Sequence, residues 1–427
     1  MCSLQSAAWS QDASAVEYGP SPTLGAPEKS LIPTLHIAKA VGWPAGGKPT
    51  AAAGTQVNAL ARDLDHPRWL YALPNGDILV AEADAPPKPD DAKGIFGKVR
   101  KRVMKRAGSG SRPSANRITL LRGTGGDGNA LERHVFLRGL NSPIGMVLVG
   151  DDFYVADSDA LLRFTYRTGD TAIQAQPARV AALPAGTINH HWTKSLIASP
   201  DGDKLYLGIG SNSNAAENGL SVEGERSSIW EIDRKSGVHR IFASGLRNPV
   251  GLAWEPDSGK LWVAVNERDE LGDHLPPDYM TSVREGAFYG WPFSYYGQHV
   301  DQRVKPQNPD LVAQAVAPDY ALGAHTASLG LCWYDGMKLP APFQHGMFIG
   351  QHGSWNRKPR SGYKVLFVPF LNGRPAGMPV DVLTGFLDSH GNARGRPVGV
   401  AIDKHGALLV ADDVGNTVWR VTGTGGL

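Results

Sequence analysis

Arginine, asparagine and histidine collect at recurring places in this sequence. His66 and Arg68, His190 and His191, Arg247 and Asn248, His325 and Ser328, and Arg394 and Arg396 each stand at the start of a short apolar segment. Surface positions drawn at random would bring Lys and Glu as often as Arg and His. A guanidinium grips a carboxylate through paired N–H donors, and an imidazole can take up a proton near neutral pH. Brought into one cavity, such a set suits a planar anionic ligand beside a general base. Taken singly, each arginine also suits an ordinary rim pairing with a local Asp. A second cluster, Asn266-Glu267-Arg268-Asp269-Glu270-Leu271-Gly272-Asp273-His274, offers oxygen donors around a glycine turn. Carbonyl and carboxylate oxygens of that kind suit a hard cation such as calcium, although the D-x-D-x-D-G spacing of a regular calcium loop is missing.

These positions need elements that bring them together, and the chain repeats one pattern six times. Each copy has a Pro or His with apolar neighbours, a polar turn, and a β-branched run ending in an acidic or polar residue. The copies start near 66, 142, 191, 248, 327 and 396. Two of them read His66-Pro67-Arg68-Trp69…Asn75-Gly76-Asp77-Ile78-Leu79-Val80-Ala81-Glu82 and Arg396-Pro397-Val398-Gly399…His405-Gly406-Ala407-Leu408-Leu409-Val410-Ala411-Asp412. Turn residues that tolerate positive φ between two apolar runs predict antiparallel hairpins. Six hairpins with a shared internal order predict an all-β, six-bladed β-propeller with long inter-strand loops, in preference to the unrelated hairpins of a β-sandwich. A propeller sets the start of every innermost strand at one mouth of a central channel. The arginines, histidines and Asn248 would then face a shared cavity.

The bulk numbers agree with such a fold. The 427 residues include 51 Gly and 31 Pro, the turn chemistry of many short strands. Basic and acidic residues number 43 and 41, which leaves no general case for a nucleic-acid partner. No apolar stretch is long enough to span a bilayer as a helix. Residues 1–54, rich in Ala, Pro, Ser and Gly, read as an N-terminal extension or linker, with the propeller domain over 55–427. Cys2, followed by a polar stretch, has the look of a lipoprotein start with its signal segment removed, or of a plain exposed cysteine. Cys332 lies in the apolar run Leu329-Gly330-Leu331-Cys332-Trp333 and reads as a buried thiol. Lys93 to Arg106 reads as a short basic amphipathic helix with a solvated face, or one docking on an anionic membrane or acidic acceptor. No C-x-x-C-H occurs, so covalent haem is not expected and electrons would leave to a separate acceptor.

Four blocks carry a family resemblance: Gly245-Leu246-Arg247-Asn248-Pro249-Val250-Gly251-Leu252-Ala253-Trp254, Val265-Asn266-Glu267-Arg268-Asp269, Gly286-Ala287-Phe288-Tyr289-Gly290-Trp291-Pro292, and Gln351-His352-Gly353-Ser354-Trp355-Asn356-Arg357. In this order, over about residues 31–425, the chain resembles the sorbosone dehydrogenase group within the soluble glucose and aldose sugar dehydrogenases. The resemblance implies a six-bladed propeller that binds pyrroloquinoline quinone (PQQ) and Ca²⁺ at the channel mouth. It would oxidise an aldose or sorbosone-like sugar by hydride transfer, passing electrons to an external cytochrome or quinone. His191 matches the family's general base, Arg247 and Asn248 its quinone-oxygen contacts, and Arg394 and Arg396 its carboxylate-binding pair. Backbone carbonyls of Glu267 and Arg268 fall where the Ca²⁺ ligands lie, without the Gly-Pro of the glucose-oxidising members. The family lysine that also contacts the quinone is replaced, near Tyr334. The chain is expected to be periplasmic or secreted, and a lipoprotein start at Cys2 would anchor it to a membrane. Two rival readings are a Ca²⁺-dependent propeller hydrolase of the lactonase kind and a non-catalytic propeller that displays loops to a partner. The mouth is richer in Arg and His than the first requires, and its Arg-x-Arg and Arg-Asn pairs speak against the second.

Overall fold

A computed structural model describes residues 17–28, 35–87, 106–107, 113–125 and 128–425. The tight turns come first, because they set the registers. In Pro74-Asn75-Gly76-Asp77 the Asn75 amide donates to the Asp77 carboxylate at 2.8 Å, and Asn75 Oδ1 accepts the Asp77 N–H at 3.1 Å. That turn joins Pro67–Ala72 to Ile78–Glu82, the first two strands of blade 1.

Each blade is one antiparallel sheet whose strands run outward from the channel. Blade 1 holds Pro67–Ala72, Ile78–Glu82, Arg117–Arg122 and Glu132–Arg138. Blade 2 holds Gly145–Val149, Asp152–Ala156, Ala160–Thr165 and Ala178–Ala182. Leu196–Ala198, Lys204–Ile209, Ser228–Asp233 and His239–Ser244 make blade 3. Blade 4 is Pro249–Glu255, Lys260–Val265, Pro277–Ser282 and Tyr320–Ala324, and blade 5 is Ser328–Tyr334, Gly346–Gln351, Lys364–Leu371 and Val380–Thr384. Blade 6 joins Pro397–Ile402, Leu408–Asp412 and Thr417–Gly423 to Thr55–Ala61, so an early strand and a late one close the ring. The six-bladed propeller expected from the repeats is the observed fold.

Second strands such as Ile78–Glu82 and Leu408–Asp412 are buried along their whole length, because both faces pack on neighbouring blades. The core is accordingly divided into wedges between blades. Trp262, Met280 and Tyr320 of blade 4 meet Met347, Ile349 and Leu366 of blade 5, and Phe348 and Phe367 of blade 5 meet Val410 and Trp419 of blade 6. Around the channel the innermost strands approach closely. A Cβ on Gly251 would lie 2.6 Å from Leu329 O, and one on Gly399 would lie 2.7 Å from Arg68 O. Glycine in the Pro-x-Gly motif is therefore what lets blade 4 meet blade 5 and blade 6 meet blade 1.

The acidic residue that ends several copies has a structural task. Asp157 accepts the Asn141 N–H at 2.8 Å, Asp412 accepts the Arg396 N–H at 2.8 Å, and Glu82 accepts the Asp65 N–H. Each ties down the segment leading into an innermost strand.

Two short strands in the 1–54 segment, expected as an extension or linker, pair with the blades. Tyr18–Gly19 pairs with Tyr320–Ala324 on the outer edge of blade 4, and Thr50–Ala51 pairs with Val380–Thr384 on blade 5. Glu17 fixes the first of these, accepting from Arg357 at 2.6 and 3.0 Å and from the Ala324 N–H at 3.1 Å. Cys2 and, apart from Arg106, the expected basic helix over Lys93 to Arg106 lie outside the described residues. Burial raises the Cys332 thiol well above its ordinary pKa, in keeping with an inert side chain.

Candidate active site at the channel mouth

The segments entering the innermost strands converge on one end of the channel. A cavity of about 120 Å³ there takes lining from all six blades, including Arg68, Ile144, His191, Asn248, Leu329 and Val398. Its floor is apolar, with Trp69 packed against Val250, Leu329 and Val398 on one side and against Ile144 and Trp192 on the other. A larger cavity of about 900 Å³ lies at the hairpin-turn face between blades 6 and 1. There Arg122 is paired with Asp77 and Arg420 with Asp403, so the chemistry points to the channel mouth.

His191 sits half-buried in the mouth, its ring edge-on to His190 with centroids 5.0 Å apart. Its Nδ1 lies 2.9 Å from both the carbonyl oxygen and the hydroxyl oxygen of Ser211. The Ser211 hydroxyl donates to Ser213 O at 2.6 Å, so its own proton is committed and it must accept from the ring. Nδ1 therefore carries the proton and Nε2 keeps its lone pair, the tautomer that a general base needs.

Asn248 is buried beside His191, and its Oδ1 has no hydrogen-bond partner. A buried amide oxygen left unpaired is disfavoured unless a ligand supplies the donor. Gly210 keeps this space open, since a Cβ there would overlap Asn248 Oδ1 and come within 2.5 Å of His191 Cβ.

A charged network borders the cavity. Arg68 donates to Asp413 at 2.7 Å while its guanidinium lies 5.6 Å from the Trp192 ring centre. His352 meets the same carboxylate at 2.9 Å, and His66 lies 3.5 Å from it. Burial alone would raise the Asp413 pKa, but the hydrogen bond from His352 and the Arg68 guanidinium hold it far below the carboxylate range. Burial also pushes His352 down to about 4, against the pull of Asp413, so its ring is neutral. Arg396 stacks over Tyr363 at 5.0 Å and donates to its hydroxyl at 3.2 Å, while its Nε has no partner. Arg394 is half-buried, and its guanidinium has no partner among the described residues.

The site residues expected from the sequence divide accordingly. His191 and Asn248 line the cavity, with His190 and Arg68 beside them. Arg247, Arg394 and Arg396 are not lining residues. Arg247 directs its donors elsewhere: Nε to Asn214 O at 3.2 Å, Nη1 to Glu267 O at 2.6 Å and Asn266 O at 3.2 Å, and Nη2 to Asn214 Oδ1 at 3.0 Å. His325 is also turned away, donating to Gly272 O at 2.8 Å and facing Asp269 at 3.3 Å.

One of the two carbonyls expected to hold calcium is already engaged. The Glu267 carbonyl already accepts from Arg247, and the side chain of Arg268 is buried, paired with Asp301 and with Asp269 O at 2.6 Å. Burial pushes the Glu267 carboxyl up to about 7. Among the described residues, no group of three or more His, Cys, Asp or Glu side chains could hold a metal ion.

Sequence reasoning did not single out Ser211, Gly210 or Asp413. Ser211 and Gly210 follow the second strand of blade 3, and Asp413 follows the acidic residue that ends the sixth copy. Position just beyond a second strand was the available signal.

Residues 154–353 match the family described as Glucose / Sorbosone dehydrogenase, and 296–424 match one described as TrAA12-like. An uncharacterised protein of Borreliella burgdorferi is 30% identical over 250 residues, covering 56% of this chain and 63% of that protein. The PQQ-dependent pyranose dehydrogenase of Coprinopsis cinerea is 25% identical over 223 residues, covering 42% of this chain and 30% of that protein. The chain thus spans less than two thirds of the length of these relatives. In fold it is similar to a Trichoderma reesei carbohydrate-active enzyme of family AA12, with TM-score 0.70 and 17% identity over 91% of this chain and 99% of that one. It is likewise similar to the holo PQQ domain of the Coprinopsis cinerea pyranose dehydrogenase, with TM-score 0.66 and 19% identity over 88% and 97% of the two chains. The four sequence blocks, the propeller and these matches agree: over residues 154–353 the chain is similar to the glucose/sorbosone dehydrogenase family, on the same propeller fold.

Proposed function

We propose that the protein is a PQQ-dependent oxidoreductase that removes hydride from a hydroxyl-bearing carbon of an aldose or sorbosone-like sugar. The observation that carries this reading is the tautomer of His191, fixed by Ser211 in the same cavity as the unpaired Asn248 Oδ1. The polar groups around the mouth suit a planar polycarboxylate. Arg68 and Arg396 each keep a buried Nε–H without a partner, and Arg394 stands nearby in sequence with its guanidinium unpaired among the described residues. Arginine forks of this kind are suited to carboxylates.

PQQ, when bound, supplies a two-electron acceptor for the hydride. The chain's own residues deal with the proton and with placement. His191 Nε2 takes the proton of the sugar hydroxyl as the hydride leaves its carbon, and Ser211 steadies the imidazolium through Nδ1–H. Asn248 Oδ1 is set to accept from an N–H or O–H donor of cofactor or sugar. Trp69, Val250, Leu329 and Val398 close the cavity floor and keep water from reaching it along the channel. Electrons then pass to a separate acceptor, since no haem-attachment motif is present. The reading includes a location outside the cytoplasm, which cell fractionation would check.

The test is reconstitution. Purified protein titrated with PQQ should show saturable quenching of tryptophan fluorescence, since Trp69 and Trp192 line the cavity. The loaded protein should then reduce an artificial dye with some member of a panel of aldoses and sorbosone. No saturable binding at micromolar PQQ would overturn the proposal, and hydrolysis of lactones without dye reduction would point to the hydrolase.

A further inference from the structure

The loop after the second strand of blade 4 was expected to hold calcium, and several of its oxygens are already in use. Asn266 O and Glu267 O both accept from Arg247 Nη1, at 3.2 and 2.6 Å. Asp269 O accepts from Arg268 Nε at 3.0 Å and Nη2 at 2.6 Å. The side-chain oxygens of Asp269 are engaged as well, Oδ1 by Asn356 at 2.9 Å and His325 at 3.3 Å, and Oδ2 by Arg247 at 3.4 Å. The neighbouring Asp278 accepts from the N–H groups of Glu267 at 2.9 Å and Ser328 at 2.8 Å and from the Thr326 hydroxyl at 2.9 Å.

Calcium needs six to eight oxygens at about 2.3–2.6 Å, and it would have to approach a carbonyl that a buried guanidinium already holds. Two fixed positive charges, Arg247 and Arg268, stand at this turn, each no more than 2% exposed. Each is already paired with a carboxylate, Arg247 with Asp269 and Arg268 with Asp301, so a divalent ion would compete with a guanidinium for its anion. Arg247 precedes Asn248, whose side chain lines the cavity, so its charge sits directly behind the place proposed for the cofactor.

We propose that PQQ binding by this chain is independent of calcium: Arg247, clamped by Asn214, Asn266, Glu267 and Asp269, takes up the Asn266 and Glu267 carbonyls and supplies fixed positive charge in place of the ion. Arg247 is on this account a positioning residue, holding the 266–269 turn and the backbone from which Asn248 projects. The inference rests on the quinone reading above.

The two separate experimentally. The full chain is stripped with a chelator, then titrated with PQQ in chelator and again in excess Ca²⁺, with tryptophan quenching as the readout. The expected result is saturable binding whose dissociation constant agrees within about twofold between the two buffers, well under the tenfold step of one affinity decade. Binding that appears only with Ca²⁺, or tightens by about tenfold or more, overturns the inference and leaves the quinone reading intact. No binding in either buffer overturns both. A second arm uses Arg247→Gln, with folding checked by circular dichroism. Once Asn266 O and Glu267 O are released, its PQQ affinity should fall and become responsive to Ca²⁺. A variant that binds PQQ as tightly as the parent in chelator overturns the role given to Arg247.

Discussion

Ser211 decides which nitrogen of His191 can act, and that gives the first expectation. His191→Gln removes the base while leaving a side chain of similar reach on the cavity wall. PQQ quenching should persist, while dye reduction by the loaded protein falls by about 10²–10⁴, the range for loss of a general base. Retained turnover would move the base to another residue. His352 gives an expectation in pH. Its folded pKa of about 4 lies below the ordinary value of about 6.5, so over that window the unfolded chain takes up a proton that the folded chain refuses. Stability contributed by the neutral ring is present above the window and is lost as pH falls through it. Between neutrality and roughly pH 5 this amounts to about 2 kcal/mol, a loss that His352→Gln should lack in urea unfolding at the two pH values. At this scale the sequence was half legible. Arg247 and Asn248 stood out as a pair, yet neighbours in an extended chain project to opposite sides, so only Asn248 reaches the cavity. The role of His352 was not legible because its partner, Asp413, is 61 residues away.

The repeated Pro-x-Gly start was visible as a pattern long before its purpose was. Proline opens the innermost strands of blades 1, 4 and 6 where no ladder N–H is needed, and in blades 4 and 6 the glycine two places on admits the backbone of the next blade. Gly251 shows the constraint most sharply, since a Cβ would meet Leu329 O at 2.6 Å and Leu331 Cβ at 2.5 Å. Both contacts belong to a strand that cannot retreat, because it forms the wall of the channel. Gly251→Ala should therefore lower stability by about 1–3 kcal/mol, the scale of overpacking, read as a drop in the thermal midpoint. An unchanged midpoint would mean that blades 4 and 5 can move apart. Blade 1 carries Trp69 where blades 2, 4, 5 and 6 carry glycine, and that ring fills the floor of the cavity. The acidic residues ending the copies were legible as part of the repeat, but not as backbone anchors. Asp157 and Asp412 find their N–H partners in segments that only radial packing brings close.

The whole molecule follows from repetition and closure. Six copies of one hairpin pattern, each burying its second strand between neighbours, leave few arrangements other than a ring. The two-residue strands Tyr18–Gly19 and Thr50–Ala51 were illegible, since so short a segment carries no period and their pairing is dictated by the blade edges they meet. Closure by Thr55–Ala61 against Thr417–Gly423 has a further consequence, in time rather than space. During synthesis Thr55–Ala61 emerges well ahead of its partner, with the five other blades made between them. At about 5–20 residues per second, that strand waits on the order of tens of seconds with a bare edge. The nascent ring is open for most of its manufacture, and whatever shields Thr55–Ala61 from other strands during that wait governs the yield of folded protein.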